Sequence, residues 1–166
     1  MSLESLSPIL FETVSAVTTD PSVELGSRRT DEAGNDYVYC YNAGEYQILP
    51  GRCGYLGSLN TGYSMTATNA AAQVGVYCGG IHHTTLTTGA YGWVMTKGLC
   101  RVSPDSSAVT FDAGEYIAVG VNDGYVSAPV TFSTGTRVGY TVTSGIANTG
   151  ALFATLGKAW IRSDIW

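Results

Sequence analysis

The chain has 166 residues, enough for one core of ordinary size and short of what two would need. Hydrophobic residues make up 45% of it and charged residues 13%, which excludes a largely disordered polymer, since disordered chains are charged and poor in aromatics. A formal net charge of −5 is not the footprint of a nucleic-acid binder, and no apolar run nears the length of a membrane-spanning helix, so neither nucleic acid nor membrane is expected as a partner.

Residues 1–20, "MSLESLSPILFETVSAVTTD", carry no basic residue and no long apolar block, so a secretory leader is not expected and synthesis in a cytoplasm is. Ser7 and Pro8 suit the N-cap and first position of a short helical turn reaching Val14, with Leu10, Phe11 and Val14 on one apolar side. A piece so short needs something to pack on. Residues 1–24 therefore read as an N-terminal arm, either docking or loose, and 25–166 as one β-domain.

From Tyr37 onward the pattern is β. Eleven tyrosines and 21 glycines in a chain of low charge favour strands and turns. "YVYCY" (37–41) is rich in aromatic and β-branched residues and follows the turn-forming "DEAGND". Further strands are expected at 46–49, 74–78, 91–96, 99–103, 115–121, 128–132, 137–142 and 151–161, separated by Gly and Asn/Asp clusters. "SMTATNAAAQVG" (64–75) fits a short helix or a loop. "AGEY" at 43–46 and 113–116, with "TGAY" at 88–91, sets a glycine turn before a strand that opens on tyrosine. The spacing is irregular, which is repeated turn chemistry rather than a solenoid period. The fold class expected is all-β, a small antiparallel barrel or sandwich with an N-terminal arm.

The most organised stretch is "TTGAYGWVMTKGLCRV" (87–102). Folding it back at Lys97-Gly98 pairs Thr96 with Leu99, Met95 with Cys100, Val94 with Arg101 and Trp93 with Val102. One face then carries Trp93, Met95, Cys100 and Val102, wholly apolar, and the other Val94, Thr96, Leu99 and Arg101. Gly92, between Tyr91 and Trp93, marks a bulge or a close backbone approach. The aromatics thus read as core.

Chemistry is sparse. Neither a phosphate-binding loop, nor a dinucleotide turn, nor a GxSxG elbow occurs. His82 and His83 are the two histidines; with Cys78 and Cys100 they make a zinc site conceivable, but the paired close spacings of such sites are missing, and a polar loop between strands is the simpler reading. Asp31, Glu32 and Asp36 beside Arg28 and Arg29 read as solvated charges, and Asp105 and Asp123 as turn residues. Cys40, Cys53, Cys78 and Cys100 fit no CxxC pattern and default to buried thiols, with disulfides the alternative. No catalytic residue, metal or cofactor is assigned.

Four stretches in consistent order resemble the capsid decoration, or cement, proteins of tailed bacteriophages. "ELGSRRTDEAGNDYVYCYNAG" (24–44) is similar to that family's entry, acidic-glycine turn and Y-x-Y strand. The stretch around "GAYGWV" is similar to its G-x-Y-G-W-V strand, "DAGEYIAVG" (112–120) to its A-G-led strand, and "GIANTGALFATLGKAWI" (145–161) to its closing strand. The four cysteines, the Arg28-Arg29 pair and the polar "RSDIW" ending depart from the family pattern.

The resemblance implies a non-enzymatic virion protein that binds the outer surface of the assembled head and stabilises it by bridging capsomers. It also implies the major capsid protein as partner, a homotrimer, and assembly in the host cytoplasm. Binding only the assembled shell shifts the equilibrium toward it, and a trimer adds multivalency. Leu10, Phe11, Val14, Trp160 and Trp166, apolar yet outside the central strands, are the candidate capsid or trimer contacts. A carbohydrate- or receptor-binding β module of a phage fibre is the alternative, recognisable by exposed Tyr or Trp along a groove. A small hydrolase or zinc protein would need His82 or His83.

Overall fold

The computed structural model describes residues 13–56, 63–66, 77–103, 110–111, 114, 116–119, 125–127, 137–141, 145–146 and 152–156, and among them the chain is all-β. In chain order the strands are β1 (Val17–Thr18), β2 (Arg28–Thr30), β3 (Asp36–Asn42), β4 (Cys53–Leu56), β5 (Ser64–Thr66), β6 (Tyr77–Ile81) and β7 (Tyr91–Val102). They continue as β8 (Thr110–Phe111), β9 (Tyr116–Val119), β10 (Val126–Ser127), β11 (Arg137–Thr141), β12 (Gly145–Ile146) and β13 (Leu152–Leu156). Residues 64–66 are thus strand, not helix, and of 46–49 only Ile48 pairs, in a single bridge with Leu86. The strand expected at 128–132 lies outside the described residues, as do Ser7 and Pro8.

The centre of the fold is the antiparallel pair of β3 and β7. Tyr39 faces Trp93, Val38 faces Val94 and Tyr37 faces Met95. Alternation along both strands sends these residues to opposite sides, and both sides are buried. Tyr37, Tyr39, Trp93 and Met95 join Cys53, Ile81, Cys100, Val102 and Ile117 in one hydrophobic cluster. Val38, Cys40 and Val94 join Ile48, Leu86 and Ala90 in a second. An aromatic and β-branched run is what a strand buried on both faces requires.

Lys97-Gly98 is not a turn. β7 runs on through it as one twelve-residue strand. Lys97 opposes Asp36 on β3, and Gly98 opposes Leu156 on β13, so the ladder holds the chain extended on both sides of the junction. Lys is also a poor first residue for a two-residue hairpin turn, which needs a left-handed backbone there. The expected face survives for a different reason. Met95 pairs with Tyr37 and Lys97 with Asp36, leaving Thr96 as the extra residue of a β-bulge. One extra residue inverts the alternation just as a two-residue turn would. Trp93, Met95, Cys100 and Val102 therefore do share one cluster, while Leu99 and Arg101 are exposed. Gly98, two residues beyond the bulge, holds φ 129°, and a Cβ there would run into the Asn35 side chain.

The C-terminal half of β7 carries a second group of strands, in the order β7, β13, β11, β9, β10, while its N-terminal half pairs with β3 and, at Val17–Gly92 and Thr18–Tyr91, with β1. Pairings also lead from β7 through β6, β4 and β5 back to β3, but the sheet is not closed into a barrel. The β6–β7 link is the single pair Ile81–Met95, and the β5–β3 link is two parallel pairs, Tyr41–Ser64 and Asn42–Met65. Barrel closure needs a continuous staggered ladder, and β7 leaves the circuit to serve β13 instead. The other pairings among the described residues are antiparallel.

Candidate functional site

Of the five residues singled out for capsid or trimer contact, Val14 alone lies among the described residues; Leu10, Phe11, Trp160 and Trp166 lie outside them. Val14 is half-buried and packs on the first hydrophobic cluster together with Val23 and Leu25. The described residues from 13 onward therefore pack on the sheet, and residues 1–12 of the arm expected over 1–24 lie outside the described residues. β1 completes the docking by pairing with β7 beside Gly92, where a Cβ would approach Leu86 Cδ1 to 2.9 Å. The crowding at Gly92 comes from the tip of the Leu86 side chain, while the nearest backbone atom, Ala16 O, stands at 3.5 Å from such a Cβ, so the backbone approach expected there is an ordinary contact.

The fastener is Tyr39, whose ring is fully buried. Its Oη accepts from the Ser22 hydroxyl at 2.9 Å and from the Ser22 N–H at 3.2 Å, and lies 3.2 Å from Thr18 Oγ1. Its backbone N–H donates to Ser27 O, and its carbonyl accepts from Gly26 N–H. A buried phenol needs a partner for its hydroxyl, and this one takes them from the N-terminal segment.

Aromatic rings continue along the same face. Tyr39 packs on Trp93 at 5.1 Å between centroids, stacks on Tyr91 at 6.2 Å, and Tyr91 meets Tyr41 at 4.8 Å. Trp93, Tyr37 and Tyr39 are buried, and Tyr41, Tyr63 and Tyr91 are half-buried. Tyr46, 60% exposed, stands in the turn after β3. Among the described residues the rings build the core rather than a groove.

A cleft of about 380 Å³ opens between Pro50, Gly51, His82, His83 and Arg101. Its walls are joined by backbone hydrogen bonds. Gly51 N–H donates to His82 O at 2.8 Å, His82 N–H to Arg52 O at 3.2 Å, and Ser103 N–H to Gly51 O at 2.7 Å. The turn before β4 is thereby pinned between the exit of β6 and the end of β7. His82 is 2% exposed, and its Nε2 has no hydrogen-bond partner among the described residues. Burial, with a smaller effect of neighbouring His83, pushes its pKa down to about 3, so the ring is neutral at physiological pH. His83 stands at the rim, its pKa lowered by partial desolvation against the pull of Asp31. Arg101 is exposed and makes no ion pair among the described residues.

Tyr37 lies behind His83, at 6.1 Å between ring centroids. Its hydroxyl donates to Asp31 Oδ2 at 3.0 Å, and burial, then that bond, pushes the phenol up to about 12. Asp31 also accepts from Asn35 Nδ2 at 2.8 Å and from the Ala33 and Asn35 N–H groups, both at 2.9 Å. The Asn35 side chain and then its backbone N–H are the main causes that hold this carboxyl below its ordinary value. Asn35 Oδ1 in turn accepts from Leu99 N–H at 3.2 Å, tying the turn to the β7 bulge.

His82 and His83 lie, as expected, in the loop between β6 and β7, but His82 is buried there as a wall of the cleft, something the dipeptide "HH" does not reveal. Among the described residues no three His, Cys, Asp or Glu side chains are grouped to hold a metal ion. Cys40, Cys53 and Cys100 are buried thiols, and burial pushes the Cys40 thiol well above its ordinary range.

No protein-family model matches the chain, and no curated protein does. Solved structures share its fold, two of them from phage heads. The head fiber gp8.5 N base of bacteriophage phi29 superimposes with a TM-score of 0.52 at 13% identity, over 74% of this chain and 96% of that one. A chain of the capsid of Myoviridae phage XM1 gives a TM-score of 0.54 at 12% identity, over 82% of this chain and 91% of that one.

Proposed function

We propose that this chain is a structural protein of a phage virion that binds the outer surface of the assembled head and stabilises it by bridging capsomers. The observation that carries the reading is the shared fold: nearly the whole of a phi29 head fibre base, and nearly the whole of an XM1 capsid chain, superimpose on it. The motif order in the sequence leads to the same class independently. In this reading the partner is the major capsid protein, the working unit is a homotrimer, assembly takes place in the host cytoplasm, and the role is non-enzymatic and needs no cofactor. A multivalent unit that binds only the closed shell raises its stability without strong contacts per subunit.

The test is co-sedimentation of the purified chain with undecorated heads, followed by heating to measure the temperature of genome release. Retention on heads and a raised release temperature are expected; failure to co-sediment refutes the proposal. A variant lacking residues 1–12 keeps the β1 and Tyr39 contacts, so it folds, and it reports on the contribution of Leu10 and Phe11 to attachment.

A second reading, a carbohydrate- or receptor-binding β module of a phage fibre, is favoured by the head fibre neighbour and by exposed Tyr46. It predicts hits on a glycan array. No hits, together with tight binding to heads, would reject it.

A further inference from the structure

We propose that the turn at Gly51 is a proton-operated latch: in acid, uptake of a proton by His82 lifts the turn off the imidazole while the β3–β7 core stays folded. The trigger is the setting of the ring. His82 is 2% exposed, and its Nε2 has no hydrogen-bond partner among the described residues. An imidazolium carries an N–H on both nitrogens, so a proton taken up here brings in a charge and leaves the Nε2–H without an acceptor. Nor is an opposite charge at hand, since among the described residues no carboxylate lines the cleft. His83 next to it opposes protonation, and Arg101 at the end of β7 lines the same cleft with a positive charge. Arg52, on the turn, is stacked over Tyr125 at 4.1 Å from the ring centroid, and Asp31 acts on His83. Burial first, and His83 second, push the His82 pKa down to about 3 from the ordinary 6.5. The charged ring is accommodated only where water reaches it, and for that its cover has to move.

The cover is the turn, and it is built to move alone. Residues 50–52 belong to no strand. Their ties are Gly51 N–H to His82 O, His82 N–H to Arg52 O, Ser103 N–H to Gly51 O, and the Ser103 hydroxyl to Pro50 O at 3.4 Å. The Arg52 guanidinium adds a hydrogen bond to the Tyr125 hydroxyl. None of these belongs to the ladder between β3 and β7, and β6 meets β7 in the single pair Ile81–Met95. Lifting the turn therefore breaks a few local bonds and leaves the central ladder whole. Ser103 follows the end of β7 and Tyr125 precedes β10, so the same movement loosens the hold of the turn on the C-terminal group of strands. The latch is a property of the free chain and does not depend on attachment to a head.

The experiment is amide hydrogen exchange by NMR on the full chain between pH 6.5 and 4.5, with rates corrected for the intrinsic pH dependence of exchange. It is run with and without urea well below the unfolding midpoint. The Gly51, His82 and Ser103 N–H groups are expected to be less protected than the β3–β7 ladder. Their protection should not respond to the urea, because a local opening exposes little surface. Across the pH range it should fall by about fiftyfold, since the uncovered ring titrates at 6.5 and the covered one at about 3. His83→Gln, at an exposed position, is expected to keep that fall and His82→Gln to lose it. Exchange of the three amides only together with the ladder, a fall of less than about fivefold, or its loss in His83→Gln would each overturn the proposal. Should His82→Gln fail to fold, the wild-type and His83→Gln measurements decide by themselves.

Discussion

Tyr39 and Ser22 stand 17 residues apart in the chain, and the Ser22 hydroxyl donates to the buried Tyr39 Oη over 2.9 Å. That one phenol oxygen also meets the Ser22 N–H and lies 3.2 Å from Thr18 Oγ1, so it gathers the segment leading out of β1 onto the core. The consequence is separable from packing. Tyr39→Phe keeps the ring and its contacts with Trp93 but deletes the hydroxyl. A loss of about 1–2 kcal/mol in urea denaturation is expected. Amide exchange should quicken over residues 18–22 more than over β3 or β7. Uniform quickening would mean that the hydroxyl does not hold the segment locally.

The β7 bulge gives a second expectation. Gly98→Ala forces a β-carbon into a backbone with φ 129° and against Asn35, and should destabilise by about 1–3 kcal/mol. Asn35→Ala alone forfeits the bonds to Asp31 and Leu99, at about 1 kcal/mol. Because the second change removes Asn35 Oδ1 and Cγ, the two nearest atoms the new methyl would meet, and leaves only Cβ at 2.8 Å, the pair should be less destabilising than the sum by roughly 1 kcal/mol. Strict additivity in chemical denaturation would show that backbone strain alone, and not Asn35, makes Gly98 necessary.

His82 predicts a pH dependence of stability. Its folded pKa, about 3, lies below the ordinary 6.5, so the unfolded chain binds a proton that the folded chain refuses. The contribution is complete above pH 6.5 and shrinks as pH falls toward 3, by up to about 1.4 kcal/mol per pH unit. The window from pH 6.5 to 5.5 isolates it from most carboxylates. In His82→Gln the slope of unfolding free energy against pH over that window should flatten, whatever the absolute stability. An unchanged slope would assign the dependence to other groups.

Trp93 is the sharpest probe of the aromatic face. It is buried against Tyr39, so Trp93→Ala should cost about 3–5 kcal/mol of stability by leaving a cavity. Any loss of attachment to heads should follow the loss of folded protein. If the variant stayed folded at working temperature yet lost binding, the aromatic face would be a contact surface.

Much of this was written in the chain, since β3 and β7 declare themselves through runs of aromatic and β-branched residues. Even the grouping of Trp93, Met95, Cys100 and Val102 was legible. Burial selects the side of a strand from hydrophobicity alone, and a bulge and a two-residue turn shift the alternation equally. For that same reason the sequence could not tell the bulge from the turn at Lys97-Gly98. That choice rests on β13, which arrives from more than fifty residues away to pair with Gly98 and hold the strand extended. The short strands β1, β2 and β5 carried too few residues for any periodicity, and exist because β3, β4 and β7 offer them ladder groups.

What the amino acids determined alone was the class of fold, all-β, and the identity of the central core residues, because both follow from local pattern and the solvent cost of apolar surface. What only the tertiary structure decided was partnership: that Tyr39 fastens the N-terminal segment, that Asn35 supports the bulge, and that Gly51, His82 and Arg101 meet around a cleft. Each of these is a contact between residues far apart in sequence, and their meeting depends on register and chain path, which no local pattern encodes.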